Sequence, residues 1–179
     1  MAEPSNKTYN YRKRTPAAPT TDALGRLSPR DTDVEAAVLG ALMIEKDAYT
    51  VVCDILKPES FYEPSHQKVY EAIQALGASQ RPIDLFTVTE QLRLNGALDE
   101  VGGPAFIVQL TSNVTSAAHV EFHSRIVAQK YLARELISFA AQIENNAFDE
   151  SIDVDDLLQE AEGKLFEISQ RNVKKDVTQ

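Results

Sequence analysis

AAHVEFHSRIVAQKYLARELISFAAQIENNA, residues 117–147, contains neither proline nor glycine, and its apolar residues do not alternate. Phe122, Ile126, Gln129, Ala133, Leu136, Ala140, Ile143 and Ala147 instead recur at steps of four and three. That is the spacing of one helix face laid nearly parallel to a second helix. A helix over this stretch would be about 46 Å long, too long for a domain of the roughly 85 preceding residues to cover, so part of it must project. Ser116 is a candidate cap for its first turn. The acidic break Asp149, Glu150, Ser151 follows, then Asp153 as a second cap and a stripe of Val154, Leu157, Leu158, Ala161, Leu165 and Ile168. Two such helices joined by a short polar break predict an antiparallel hairpin. Its expected seam and self-association residues are Phe122, Ile126, Ala133, Leu136, Ala140, Ile143, Leu157, Leu158 and Leu165. The small side chains Ala133, Ala140 and Ala147 would permit close helix approach. Val127, Tyr131, Ile137 and Phe139 lie off this seam. One partner helix cannot cover both faces, so the surplus predicts contact with another chain. The plainer reading packs these four residues on the globular half.

Upstream, Thr32 and Glu35 have the form of a capping box, and Val34, Val38, Ala41 and Leu42 continue it as a helix. Asp47 can cap a short helix holding Val51, Val52 and Ile55, ended by Pro58. Pro64 suits a first helical position, ahead of a stripe of His66, Val69, Tyr70, Ile73 and Leu76 that stops at Gly77. Asp84 and Thr87 are alternative caps for a helix with Val88 and Leu92, ending at Gly96. Gly102, Gly103 and Pro104 open a fifth, with Phe106, Ile107 and Leu110 on its apolar side. No hairpin turn signal for paired strands occurs. The predicted fold is therefore all-α, a compact helical globular subdomain over 31–115 followed by a projecting antiparallel helical hairpin over 116–172. Residues 1–30 are expected to be a disordered basic tail, and 173–179 the start of a linker.

Charge separates these parts. The chain of 179 residues has a net charge of -9. Residues 1–30 hold six Lys and Arg against two acids, and the remainder holds 12 bases against 25 acids. A folded part that acidic repels a phosphate backbone, which favours protein partners over DNA or anionic lipid. Cys53 is the single cysteine, so no intrachain disulfide is available. The longest apolar stretch, Ala36 to Ile44, is about half of what crossing a bilayer requires. No apolar run follows the N-terminal bases, so no secretory signal is read. These features predict a cytoplasmic protein.

Residues able to carry chemistry are few. A phosphate-binding loop needs a glycine, four residues, then Gly-Lys-Ser/Thr, whereas the only Gly-Lys here, Gly163-Lys164, is followed by Leu165 and has Leu158 at the first glycine's position. His119 and His123 are four apart and could share a metal, but no third ligand is evident. Cys53, beside Val52 on an apolar helix, reads as a small core residue. Asp155 and Asp156 read as first-turn acids opposing the helix dipole. No catalytic, cofactor-binding or metal-binding residue is assigned.

The segment from Pro29 to Gly40, PRDTDVEAAVLG, resembles the opening of the N-terminal domain of bacterial replicative DNA helicases of the DnaB family. Phe61-Tyr62 with His66-Gln67-Lys68, then 82–87, PIDLFT, then 98–103, LDEVGG, and finally Arg125-Ile126-Val127 are similar to that family's successive signatures, and the resemblance spans about 29–172. Arg30 and Asp33 stand where an amide and a glutamate are usual, and His119 where asparagine is common. The resemblance implies a non-catalytic collar above a hexameric motor, with hairpins pairing so that six copies form a trimer of dimers. It further implies a parent enzyme that unwinds DNA with a RecA-like ATPase, using ATP and Mg in that motor and no cofactor here. Implied partners are a second copy, the C-terminal domain of primase, a helicase loader, and DNA through the complete ring. Phe106, Ile137 and Ile143 are the expected primase contacts. A free-standing helical adaptor or loader-like protein is the alternative, separated by whether the gene continues past Gln179 into a phosphate-loop motor.

Overall fold

The computed structural model describes residues 25–114 and 117–176, with side chains through Gln170. The expected N-terminal tail as far as residue 24, the Ser116 cap and the last three linker residues lie outside the described residues. Among the described residues, regular structure is helical apart from a one-residue bridge at Leu27. Five helices form the body: α1 (Thr32–Ile44), α2 (Ala48–Ile55), α3 (Pro64–Ala78), α4 (Leu85–Leu94) and α5 (Gly103–Ser112), with a 3₁₀ turn at Pro58–Ser60. Two long helices, α6 (Val120–Ala147) and α7 (Val154–Asp176), form the hairpin.

Most helix ends follow from local chemistry. Asp84 accepts from the amides of Phe86 and Thr87, while the Thr87 hydroxyl accepts from the Asp84 amide. The two residues read as alternatives are thus the two halves of one capping box. Asp153 caps α7 by accepting from the amides of Asp155 and Asp156. Gly102 and Gly103 enter α5 at φ of 103° and 73°, a region where a Cβ would be strained.

Three expectations need correction. Asp31, not Thr32, caps α1, its Oδ1 accepting from the Val34 amide at 3.2 Å, and Glu35 turns into the core instead of closing a box. Helix α3 runs through Gly77 to Ala78. Gly77 makes room for the Tyr49 ring, which a Cβ would approach to 2.1 Å. Cys53 is exposed, its thiol donating to the Thr50 carbonyl, because the inward face of α2 is taken by Ala48, Val52 and Ile55.

The core brings together Val38, Leu39 and Leu42 of α1, Val69, Tyr70, Ile73 and Leu76 of α3, and Ile107 and Leu110 of α5, joined by Val88, Leu92, Leu56 and Phe61. Helix α1 is central and packs against α3, α5 and α6. The carbonyl of Leu110 passes so close to Gly40 that a Cβ there would lie 2.2 Å from it.

Candidate docking surface

The hairpin is rooted in the body through a polar cluster. Glu35 is 1% exposed. One of its carboxylate oxygens accepts from the Tyr62 amide at 2.6 Å, and the other accepts from the Glu63 amide at 3.3 Å and faces His66 Nδ1 at 2.8 Å. With the carboxylate as acceptor, Nδ1 carries the proton. The carboxylate sits at the start of α3, where amides without helical partners favour an anion. Phe106 stacks on the His66 ring at 6.0 Å with 9° between planes. Arg134 completes the root from α6, donating to the carbonyls of Pro29 at 2.9 Å and Ser60 at 2.8 Å. Its guanidinium lies over the Tyr62 and Tyr131 rings, and Arg30 covers Tyr62 as well. Burial lowers the Arg134 pKa, opposed by the negative charge of Glu35 and by Tyr131 and Tyr62.

Helix α6 has two faces with different partners. Val120, Ser124 and Val127 are buried, and half-buried Tyr131 and Arg134 extend the same four-and-three stripe toward the body. Val127 belongs to the core cluster. Of the surplus, Val127 is therefore packed on the globular half and Tyr131 is half-buried beside Arg134, whereas Ile137 remains 54% exposed and Phe139 is half-buried. The stripe facing the body ends at Arg134, and the remaining 13 residues of α6 extend about 20 Å beyond it.

The expected seam is covered only in part within one chain. Leu157 is buried, as is Ile168 further along the same stripe of α7, and Ile126, Ala133 and Ile143 are half-buried. Phe122, Leu136, Ala140, Leu158 and Leu165 are exposed. At about 100° per residue, Leu157, Ala161 and Ile168 form one stripe of α7, and Val154, Leu158 and Leu165 form a second beside it. The first is shielded and the second is not, with exposures of 76%, 58% and 52%. Phe148, at the turn between the helices, is 82% exposed. Of the expected primase contacts, Phe106 is held on the body by His66, while Ile137 lies about 26 Å along α6 and Ile143 a further turn and a half on.

Other groups singled out by type are not assembled into a site. The His119 and His123 rings lie edge-on with centroids 6.4 Å apart. Among the described residues no three His, Cys, Asp or Glu side chains are grouped to hold a metal. Partial desolvation and the neighbouring Asp54 raise the Cys53 thiol pKa, opposing thiolate formation. Among the described residues no helix is long and apolar enough to cross a membrane.

The root cluster was missed in sequence, although its signal was present. Glu35 lies three residues before Val38 on the buried side of α1, and His66 opens the buried stripe of α3. An acid and a base each on a core face predict a buried pair.

The family model for the DnaB-like helicase N terminal domain matches residues 27–129. The chain is 40% identical over 151 residues to a replicative DNA helicase, DnaB, of Rhodothermus marinus, covering 84% of this chain and 16% of that protein. It is 40% identical over 152 residues to a replicative DNA helicase, DnaC, of Bacillus subtilis, covering 84% of this chain and 34% of that protein. The chain thus spans between about a sixth and a third of the curated relatives it matches. The crystal structure of the N-terminal domain of DnaB helicase from Mycobacterium tuberculosis superposes with a TM-score of 0.73 at 33% identity, over 78% of this chain and 98% of that one. A structure of a DnaB-like replicative helicase and its interactions with primase superposes with a TM-score of 0.65 at 27% identity, over 77% of this chain and 31% of that one. An all-α body, a rooted hairpin and these matches together place the chain in the family of DnaB-like helicase N-terminal domains.

Proposed function

We propose that this chain is the non-catalytic N-terminal collar of a replicative DNA helicase, pairing through its hairpin into a trimer of dimers and receiving the C-terminal domain of primase. The observation that carries the reading is the double stripe of α7: one apolar row is shielded within the chain, and the row of Val154, Leu158 and Leu165 beside it has no cover. An exposed row of this kind, on the helix that follows the turn bearing exposed Phe148, suits association with a second helical pair. Similarity to a helicase solved with its primase interactions supports the second half of the proposal. Phe106, Ile137 and Ile143 are the residues assigned to primase contact, and a loader is a further candidate partner. ATP hydrolysis with Mg, and DNA engagement by the ring, belong in this reading to a motor within the part of the relatives that the chain does not match, and the protein works in the cytoplasm.

Light scattering at several protein concentrations, with pull-down of primase, tests the proposal on the wild type and on Ile137→Asp. The wild-type mass should rise from monomer toward dimer, and the substitution should lower both that rise and the primase captured. If mass and capture are both unchanged, the patch assignment is wrong.

A further inference from the structure

We propose that the segment Lys7–Arg14, KTYNYRKR, docks on the apolar, acid-bordered tip of the hairpin in its own chain. At the tip, Phe148, Val154 and Leu158 are each exposed, at 82%, 76% and 58%. Around them the charge has one sign. Between Arg134 and Lys164 there are nine Asp and Glu and no Lys or Arg. A surface of this kind favours an occupant that is basic and aromatic at once. The segment Lys7–Arg14 has four bases, two tyrosines and no acid, and Arg12-Lys13-Arg14 is the chain's only run of three consecutive bases. Tyr9 and Tyr11 would lie on Phe148 and Val154 while the bases face the surrounding carboxylates. Tyrosine suits such a place because its ring is apolar and its hydroxyl can stay wet.

The tether has the reach this requires. Arg134 holds the chain to α6 at the Pro29 carbonyl, 2.9 Å away. From Arg134 to Phe148 is 14 residues of helix and turn, about 21 Å at helical rise. Arg14 precedes Gly25, the first described residue, by 11 residues, which span at most about 36 Å extended. Segment and tip are therefore held at an effective concentration in the millimolar range. Exposed ion pairs that are individually weak suffice at that concentration. The inference does not depend on the collar reading, although a second copy would compete for the same surface.

Amide NMR of the full chain provides the test, comparing the wild type with a variant in which Lys7, Arg12, Lys13 and Arg14 are all changed to Gln. At about 50 mM salt the signals from Phe148 to Leu158 should differ between the two, and the difference should vanish near 0.5 M, where charges are screened within about 4 Å. Phe148→Ser in the wild-type background should reduce it. At concentrations where light scattering gives the monomer mass, the difference should not depend on protein concentration. Identical tip signals at low salt would overturn the proposal, as would a difference confined to the body. A difference that grows with concentration would also overturn it and assign the tip to a second copy. None of these substitutions touches the core, so loss of fold does not confuse the reading.

Discussion

Replacing Glu35 measures how firmly the hairpin root is tied. Its carboxylate has two short contacts, the Tyr62 amide at 2.6 Å and His66 Nδ1 at 2.8 Å, and a longer one to the Glu63 amide at 3.3 Å. Hydrogen bonds to a charged acceptor contribute about 1.5–3 kcal/mol each. The two short ones therefore set a gross loss of about 3–6 kcal/mol for Glu35→Leu, which strands the Tyr62 and Glu63 N–H groups. Relief from burying a carboxylate and added apolar contact offset part of this, leaving an expected net loss of about 3 kcal/mol. Glu35→Gln keeps the volume and one carbonyl acceptor for the Tyr62 amide, and its amide nitrogen replaces the second oxygen. Its expected loss is about 1–2 kcal/mol. Urea unfolding followed by circular dichroism at neutral pH reads both, and the midpoint should fall while the denaturant slope stays constant. The order wild type, Gln, Leu distinguishes lost acceptors from altered volume. A Leu variant within about 1 kcal/mol of the wild type would refute the argument that this carboxylate satisfies the start of α3.

Two glycines should respond oppositely to the same substitution. Gly40→Ala drives a Cβ into the Leu110 carbonyl, a backbone atom that cannot swing aside, and should destabilise by about 1–3 kcal/mol or more. Gly163→Ala, on exposed α7 with nothing within 4 Å, should stabilise by about 0.4–1 kcal/mol, with thermal melting reading both. Burial, with Tyr49 and Cys53 nearby, raises the Tyr70 phenol above its ordinary 10.0. A raised value means its stabilising effect is whole below the unfolded pKa of 10.0 and is lost as pH climbs through the higher folded value. Tyr70→Phe should lose about 1 kcal/mol at neutral pH with its bond to the Leu56 carbonyl, yet unfold less steeply in an alkaline titration.

Periodicity made the hairpin legible, because a proline-free run with four-and-three spacing has few other outcomes. The body helices were legible through their punctuation, with Pro64, Asp84 and the Gly102-Gly103 pair each standing where the sequence placed an end. What periodicity could not tell was which of two apolar stripes of α6 faces which neighbour. Val127 and Ile137 looked alike, and only the body's position makes one core and the other surface. The root cluster was obscured for a related reason. A glutamate three residues after a threonine satisfies a local capping rule, and nothing local announces that its partners are Tyr62, Glu63 and His66, more than 25 residues away. Arg134 reaches carbonyls 105 and 74 residues distant, and a contact formed with main-chain oxygen leaves no mark in residue type.

Arg134 also ends the stripe by which α6 faces the body, and this makes the distal hairpin a cantilever. Its free arm of about 20 Å turns a rotation of about 5° at the clamp into roughly 2 Å of travel at Phe148. Whatever engages the far end thus has mechanical advantage over the clamp, and a small repacking beside Tyr62 steers the far end in return.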